Sequence, residues 1–216
     1  MKVIPSVSFM EETPVVVEGE DYRRYSSQKE KAALDQILTD LQDFDTLYLL
    51  DLNGIERNRP QLDLIRTLSM RKKLWADGGT RDIDTLTDMY IAGADRVVLS
   101  TKTAPSMDFI EESAELSNTL ILSIDIDDEI ISPSEEIGAM DLREMVGAAV
   151  EMGIDSFIFA DYSDNEFDLK DMKNIDDELE LYLVTDLTRL DSLSGNDMID
   201  GAILGIKEAV QYQERN

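Results

Sequence analysis

The stretch "LWADGGTRD", residues 74 to 82, sets an acid, a glycine pair and an arginine within a few positions of one another. Paired glycines after an apolar run can cradle a phosphate with backbone N–H groups, and Arg81 would add positive charge beside Gly78 and Gly79. Asp77 stands at the entrance of that loop, where an anion would arrive, and a carboxylate there suits proton transfer instead. Other apolar runs also end in acids: Asp51, Asp125, Asp161 and Asp186. Grouped carboxylates repel, so at neutral pH they need protonation, a cation or a basic neighbour. Arg81 and Lys102 lie in nearby loops and are candidate partners. Among these acids Asp77 is expected to hold its proton to a higher pH than usual, toward the range that acid–base catalysis uses. For each of them helix capping or turn formation just after a strand is the competing role.

The chain has no histidine and no cysteine. Ser-His-Asp and Cys-His catalysis, histidine metal sites, thiolate metal sites and disulfides are therefore excluded. Carboxylates, lysine, tyrosine, serine and threonine must carry any chemistry. No ligand spacing specifies a metal, and neither a metal nor an organic cofactor is predicted. The 216 residues carry a formal charge of −27, spread along the chain. Such a surface repels nucleic acid and anionic membranes, and it fits a salty cytoplasm or simple acidic solubility. No apolar run reaches the length of a membrane span and nothing at the N-terminus resembles a signal peptide, so a cytoplasmic protein is expected.

Apolar runs of strand length recur, each followed by helical periodicity. Strands are predicted at 2–9, 46–52, 73–77, 95–100, 119–125, 155–161, 179–186 and 200–205, with an extra extended segment at 13–19. Helices are predicted at 28–43, 60–70, 83–93, 106–116, 139–152, 168–176, 188–194 and 206–213. Eight strands alternating with about eight helices predict an α/β fold, a (β/α)8 barrel in a single domain over 1–216, with an open doubly wound sheet as the alternative. An internal repeat favours the barrel. "ADGGTRDIDTL" returns as "TDLTRLDSL", "ADRVVLSTKTA" as "IDGAILGIKEA", and "YLLDLNG" more loosely as "FIFADYSDN", at offsets of 105 to 110 residues. The halves would cover about 1–105 and 106–216. A barrel keeps its active site at the C-terminal ends of its strands. Here those ends are Ser8, Asp51, Asp77, Ser100–Thr101, Asp125, Asp161, Asp186 and Gly205. Trp75 and the scattered methionines read as core packing, and the cluster Tyr22–Arg23–Arg24–Tyr25 as a surface turn or a substrate contact.

These residues carry a resemblance. "VIPSVSF", "LLDLNGIERNRPQLDLI", "ADGGTRDIDTLTDMYIAGADRVVLSTKTA", "LILSID" and "AILGIKEAV" resemble segments of the phosphoribosyl-isomerase and cyclase-subunit family of histidine biosynthesis, the HisA/HisF barrels. The resemblance implies a half-barrel repeat and a phosphorylated sugar ligand. It also implies an Amadori-type aldose–ketose isomerisation driven by two aspartates, at the ends of the first and fifth strands. Asp125 matches the strand-five acid. Gly78, Gly79 and Arg81, with Ser100 and Thr101, match one phosphate segment, and Gly205 the other. The chain departs from the family at three places. Ser8 stands where the first aspartate belongs, Asp77 replaces the first glycine of a triple, and "TDLTR" replaces a Ser-Gly-Gly. Two functions from different classes follow. One is an isomerase of a phosphorylated sugar or aminosugar that keeps Asp125 and recruits Asp77 or Asp51. The other is a non-catalytic paralogue that binds a phosphorylated metabolite or a protein partner, the chain itself included as a homo-oligomer. A cation held by the aspartates is a third reading.

Overall fold

The computed structural model describes residues 1–18, 21–28, 30–163, 178–193 and 198–215. Eight parallel strands form the frame: β1 (Lys2–Met10), β4 (Thr46–Asp51), β5 (Lys73–Asp77), β6 (Arg96–Ser100), β7 (Ile121–Asp127), β9 (Ser156–Asp161), β10 (Glu180–Thr185) and β11 (Gly201–Gly205). Each pairs in parallel with the next, and β11 pairs with β1 from Lys2↔Gly201 to Ser6↔Gly205. The sheet is thereby closed, which makes the fold a (β/α)8 barrel and not the open sheet. All eight predicted strands are present within a residue or two of their expected bounds.

Outside the barrel lie α1 (Glu30–Asp40), α3 (Leu62–Ser69), α4 (Ile83–Ala92), α5 (Met107–Leu116), α7 (Leu142–Glu151), α8 (Leu187–Leu193) and α9 (Ile206–Arg215). The helix expected at 168–176 lies outside the described residues. Local chemistry sets the helix ends. Asp82 and Ser106 cap α4 and α5 by accepting the amides of Thr85 and Phe109, and Gly93 ends α4 at φ 109°, a conformation open to glycine. Four short elements were not anticipated: α2 (Leu52–Arg57), directly after β4, α6 (Glu135–Gly138), β3 (Asp21–Arg24) and β8 (Glu129–Ile130). The expected extra segment is β2 (Thr13–Glu18), which pairs antiparallel with both β1 and β3.

Strand alternation divides the core in two. One layer inside the barrel takes one side chain from each of the eight strands: Ile4, Tyr48, Trp75, Val98, Ile121, Ile158, Tyr182 and Ile203. The alternate residues, such as Leu47, Leu49, Leu74, Val97, Leu99 and Phe157, face the helices and join Ile37, Ile65, Leu86 and Ile110. Each such fully buried side chain stabilises the fold by about 1.5–3 kcal/mol relative to exposure. At the N-terminal end of the barrel Trp75 packs edge-on against Tyr182, with Lys2 and Arg96 over its ring, so the lower mouth is plugged. Of the two ends of the barrel, the C-terminal mouth is the one open to a ligand among the described residues. No helix among the described residues is long and apolar enough to cross a membrane.

Candidate active site

The alternation that builds the inner layer also selects the side chains that reach the upper mouth. Two residues above Trp75 on β5 stands Asp77, two above Val98 on β6 stands Ser100, and four above Ile121 on β7 stands Asp125. These three, with Ser6, Tyr48, Leu50, Lys102, Ser123, Ala160, Tyr162, Val184 and Ile203, line a cavity of about 270 Å³. Val17 and Tyr22 of the β2–β3 pair and Leu52, Ile55 and Glu56 of α2 form its outer wall. Tyr22 donates a hydrogen bond to Glu56, which joins the two walls.

Asp125 is the hub. Its Oδ2 accepts the Ser100 hydroxyl at 2.8 Å, and its Oδ1 meets the Lys102 ammonium at 2.8 Å and the Tyr162 hydroxyl at 3.1 Å. Its own amide donates to Thr101 Oγ1 at 3.1 Å. Lys102 also lies over the Tyr162 ring, 4.0 Å from its centre. Burial works to lower the Lys102 pKa, but the charge and hydrogen bond of Asp125 together with Tyr162 outweigh it, and the amine is held protonated above its ordinary range. Asp77 is in a different state. Burial pushes its carboxyl up to about 7; the Gly79 amide, donated to Oδ1 at 2.9 Å, pulls it down, and the charges of Asp125 and Asp51 push it up again. Burial, with the charges of Asp77 and Asp125, also raises the Tyr48 hydroxyl well above its usual value. The cavity thus pairs a carboxylate–ammonium couple with a carboxyl whose pKa lies near neutrality, a combination suited to proton transfer.

Residues 2–205 match the family described as histidine biosynthesis protein. The chain belongs to that family. Among its relatives are three phosphoribosyl imidazole-4-carboxamide isomerases. That of Thermococcus onnurineus is 27% identical over 74% of this chain and 70% of its own length. That of Synechococcus is 24% identical over 74% and 66%. That of Alkalilimnicola ehrlichii is 26% identical over 53% of this chain, a match that spans about half of that relative, 49%.

Within the barrel the candidate residues separate into groups. Asp77 and Asp125 share the cavity. Asp51 does not. It follows Leu50 on the strand, so its carboxylate faces the helix layer, where it is fully buried. There it accepts the amides of Asn53 and Gly54 at 3.1 and 3.2 Å and both the amide and the side-chain nitrogen of Gln61. It therefore caps α2 and ties it to the approach to α3. Asp161 and Asp186 are likewise turned to local amides, those of Ser163 and Arg189. Ser8 sits in the ladder opposite Leu50 and Val15, and Ser6, two residues deeper, lines the cavity in its place.

The residues expected to hold phosphate have partners inside the protein. Arg81 donates to the carbonyls of Gly54, Gly79 and Ile55 at 3.1, 2.6 and 2.6 Å. A Cβ on Gly79, whose φ is +60°, would lie 2.4 Å from Ile55 Cα, and one on Gly54 would lie 2.1 Å from the Gly78 oxygen. The glycine pair is thus the seat on which α2 rests. Ser100 and Thr101 are spent on Asp125. A Cβ on Gly205 would meet only Glu208 Oε2, at an ordinary contact distance of 3.9 Å.

Sequence reasoning named Lys102 only as a possible neighbour of the acids, and it missed Tyr162, Tyr48, Ser123 and Ser6 as cavity residues. A signal for most of them was present. Counting in twos along each strand from its central apolar residue reaches Ser6, Ser100, Ser123 and Asp125, and passes over Asp51 and Asp161.

Proposed function

We propose that this chain is a cofactor-free aldose–ketose isomerase acting on a sugar or aminosugar, with Asp77 and Asp125 at the reacting carbons. The observation that carries the reading is the pairing, in one cavity, of Asp77 poised near neutrality with Asp125 held by Lys102, Ser100 and Tyr162. Asp77 supplies what Ser8 cannot. A buried carboxyl with a pKa of about 7 takes the proton from C2 and returns it to C1 at neutral pH, while the hydroxyl proton passes from O2 to O1. The Lys102 ammonium faces the oxygen on which negative charge gathers in the enediolate, and water-poor walls strengthen that attraction. Membership of the family, and the isomerase names of the relatives, support the reaction class.

The test is solvent exchange. Aldoses and aminosugars incubated in D₂O should lose the hydrogen on the carbon next to the carbonyl, as followed by proton NMR. Asp77→Asn should reduce that exchange by at least a hundredfold and Lys102→Met by tenfold or more. Exchange that survives Asp77→Asn unchanged would remove Asp77 from the mechanism. The departure at Ser8 favours a second reading, a ligand-binding paralogue without turnover, for which the same assay would register binding and no exchange.

A further inference from the structure

Isomerisation of an aldose to a ketose moves two protons. One passes between adjacent carbons, the other between the oxygens that those carbons carry. Asp77 serves the first. The group that serves the second must give a proton to one oxygen and take one back from the other without leaving the site. Lys102 is placed for this. It stands in the turn after β6 and lines the same cavity as Asp77. Its backbone amide donates to Ser100 Oγ at 3.1 Å, so the serine that holds Asp125 also sets the turn from which the lysine springs. Two contacts then fix the ammonium: Asp125 Oδ1 at 2.8 Å and the Tyr162 ring, whose centre lies 4.0 Å away. An ammonium carries three N–H groups, and an ion pair with a ring contact does not exhaust them. The charge of Lys102 also acts on Asp77, so the carboxyl and the amine face one space.

The chemistry of the amine fits the task. A carboxyl group is far more acidic than the hydroxyls of an enediol, whereas an ammonium is close to them, and proton transfer is easiest between groups of similar acidity. We infer that Lys102 is a catalytic residue of this cavity, the acid and base that carries the hydroxyl proton between the two substrate oxygens. The inference rests on the isomerase reading of the cavity and adds a step to it. Asp77 takes the C2 proton, and charge gathers on O1. The ammonium gives a proton to O1 and becomes an amine. The amine takes the proton of the O2 hydroxyl, and Asp77 returns its own proton to C1 as the carbonyl forms at C2. Both protein groups end in the state in which they began.

Arginine separates charge from proton transfer, because a guanidinium stays protonated in proteins. The full chain is incubated in D₂O with ribose and with ribose 5-phosphate. Proton NMR follows two quantities, loss of the C2 hydrogen from the recovered aldose and appearance of the ketose. Lys102→Arg should keep the exchange within about threefold of the parent and lower ketose formation by about a hundredfold or more. A second variant exploits the absence of cysteine from the chain. Lys102→Cys supplies a single thiol, so alkylation is confined to that position. Alkylation with 2-bromoethylamine restores an amine and should raise ketose formation about tenfold or more over the unmodified variant. The trimethylammonium counterpart restores charge alone and should raise exchange without ketose. Exchange and ketose formation that fall together in Lys102→Arg, or that both survive, overturn the relay and leave the isomerase standing. Equal rescue of ketose formation by the two alkylating agents does the same. A parent chain that neither exchanges nor converts either sugar overturns the isomerase, and the relay with it.

Discussion

Lys102 and Asp125 meet at the upper mouth of the barrel, with the ammonium 2.8 Å from a carboxylate that is 7% exposed. The two come from neighbouring strands, one just past the end of β6 and the other inside β7. Removing one member leaves the other charged and poorly solvated. Lys102→Met should therefore cost about 2 kcal/mol, less than a fully buried pair because the lysine itself is about one third exposed, 35%. Urea unfolding measures the loss. Lys102→Arg should recover most of it.

The raised pKa of Asp77 has a consequence for stability with a definite sign. Its folded value is about 7 and its ordinary value 3.8, so between these limits the native chain holds a proton that the unfolded chain has lost. Stability attributable to Asp77 is therefore complete below about pH 4 and declines as pH rises toward 7. Asp77→Asn, which keeps an acceptor for the Gly79 amide, should be more stable than the parent at pH 8, by a few kcal/mol in order of magnitude, and nearly equal to it at pH 4. Denaturant curves at the two pH values check this. A parent that gains on the variant as pH rises would contradict the assignment.

Gly79 is held at φ +60°, where an added Cβ would lie 2.4 Å from Ile55 Cα. Gly79→Ala should cost about 3 kcal/mol or more, from the left-handed conformation together with the clash, and should displace α2 from the cavity wall. A drop in melting temperature together with faster amide exchange at Asn53–Arg57 would report both effects.

The opposite end of the barrel supplies a control. Arg96 is ion-paired to Glu180 at 2.7 Å, donates to Ser156 and covers Trp75. Arg96→Met should destabilise by about 2 kcal/mol through the lost pair and ring contact, and leave ligand binding at the upper mouth unchanged, since the side chains at this end pack against one another and do not line the cavity. Altered ligand affinity in this variant would show that the two ends are coupled.

Much of this architecture is written locally. Strands such as "TLYLLD" and "ILSID" announce themselves as apolar runs, and Asp82, Ser106 and Gly93 mark helix ends by their own hydrogen-bonding or backbone properties. The short helix α2 is less visible because its six residues include Asn53 and Gly54, which favour turns, and it exists through the Asp51 cap and its seat on Gly78 and Gly79. Asp51 was picked out with Asp77 because both end a strand. Their side chains point to opposite sides of the sheet, and alternation alone could have told them apart once the inward register was known.

The sequence by itself determined the strand–helix order, the absence of imidazole and thiol chemistry, and the supply of carboxylates at the strand ends, because all of these are properties of residue type and spacing along the chain. Only the tertiary structure decided what each carboxylate does. The side-by-side pairing of β6, β7 and β9 brings Asp125, Lys102, Ser100 and Tyr162 together from three strand ends, and the depth at which Asp77 is buried raises its pKa. The fold also turns Asp51, Asp186 and Glu208 onto amides of the protein itself. Charge, burial and hydrogen bonding depend on distances in space, and those exist only once strands far apart in the chain have closed into one ring.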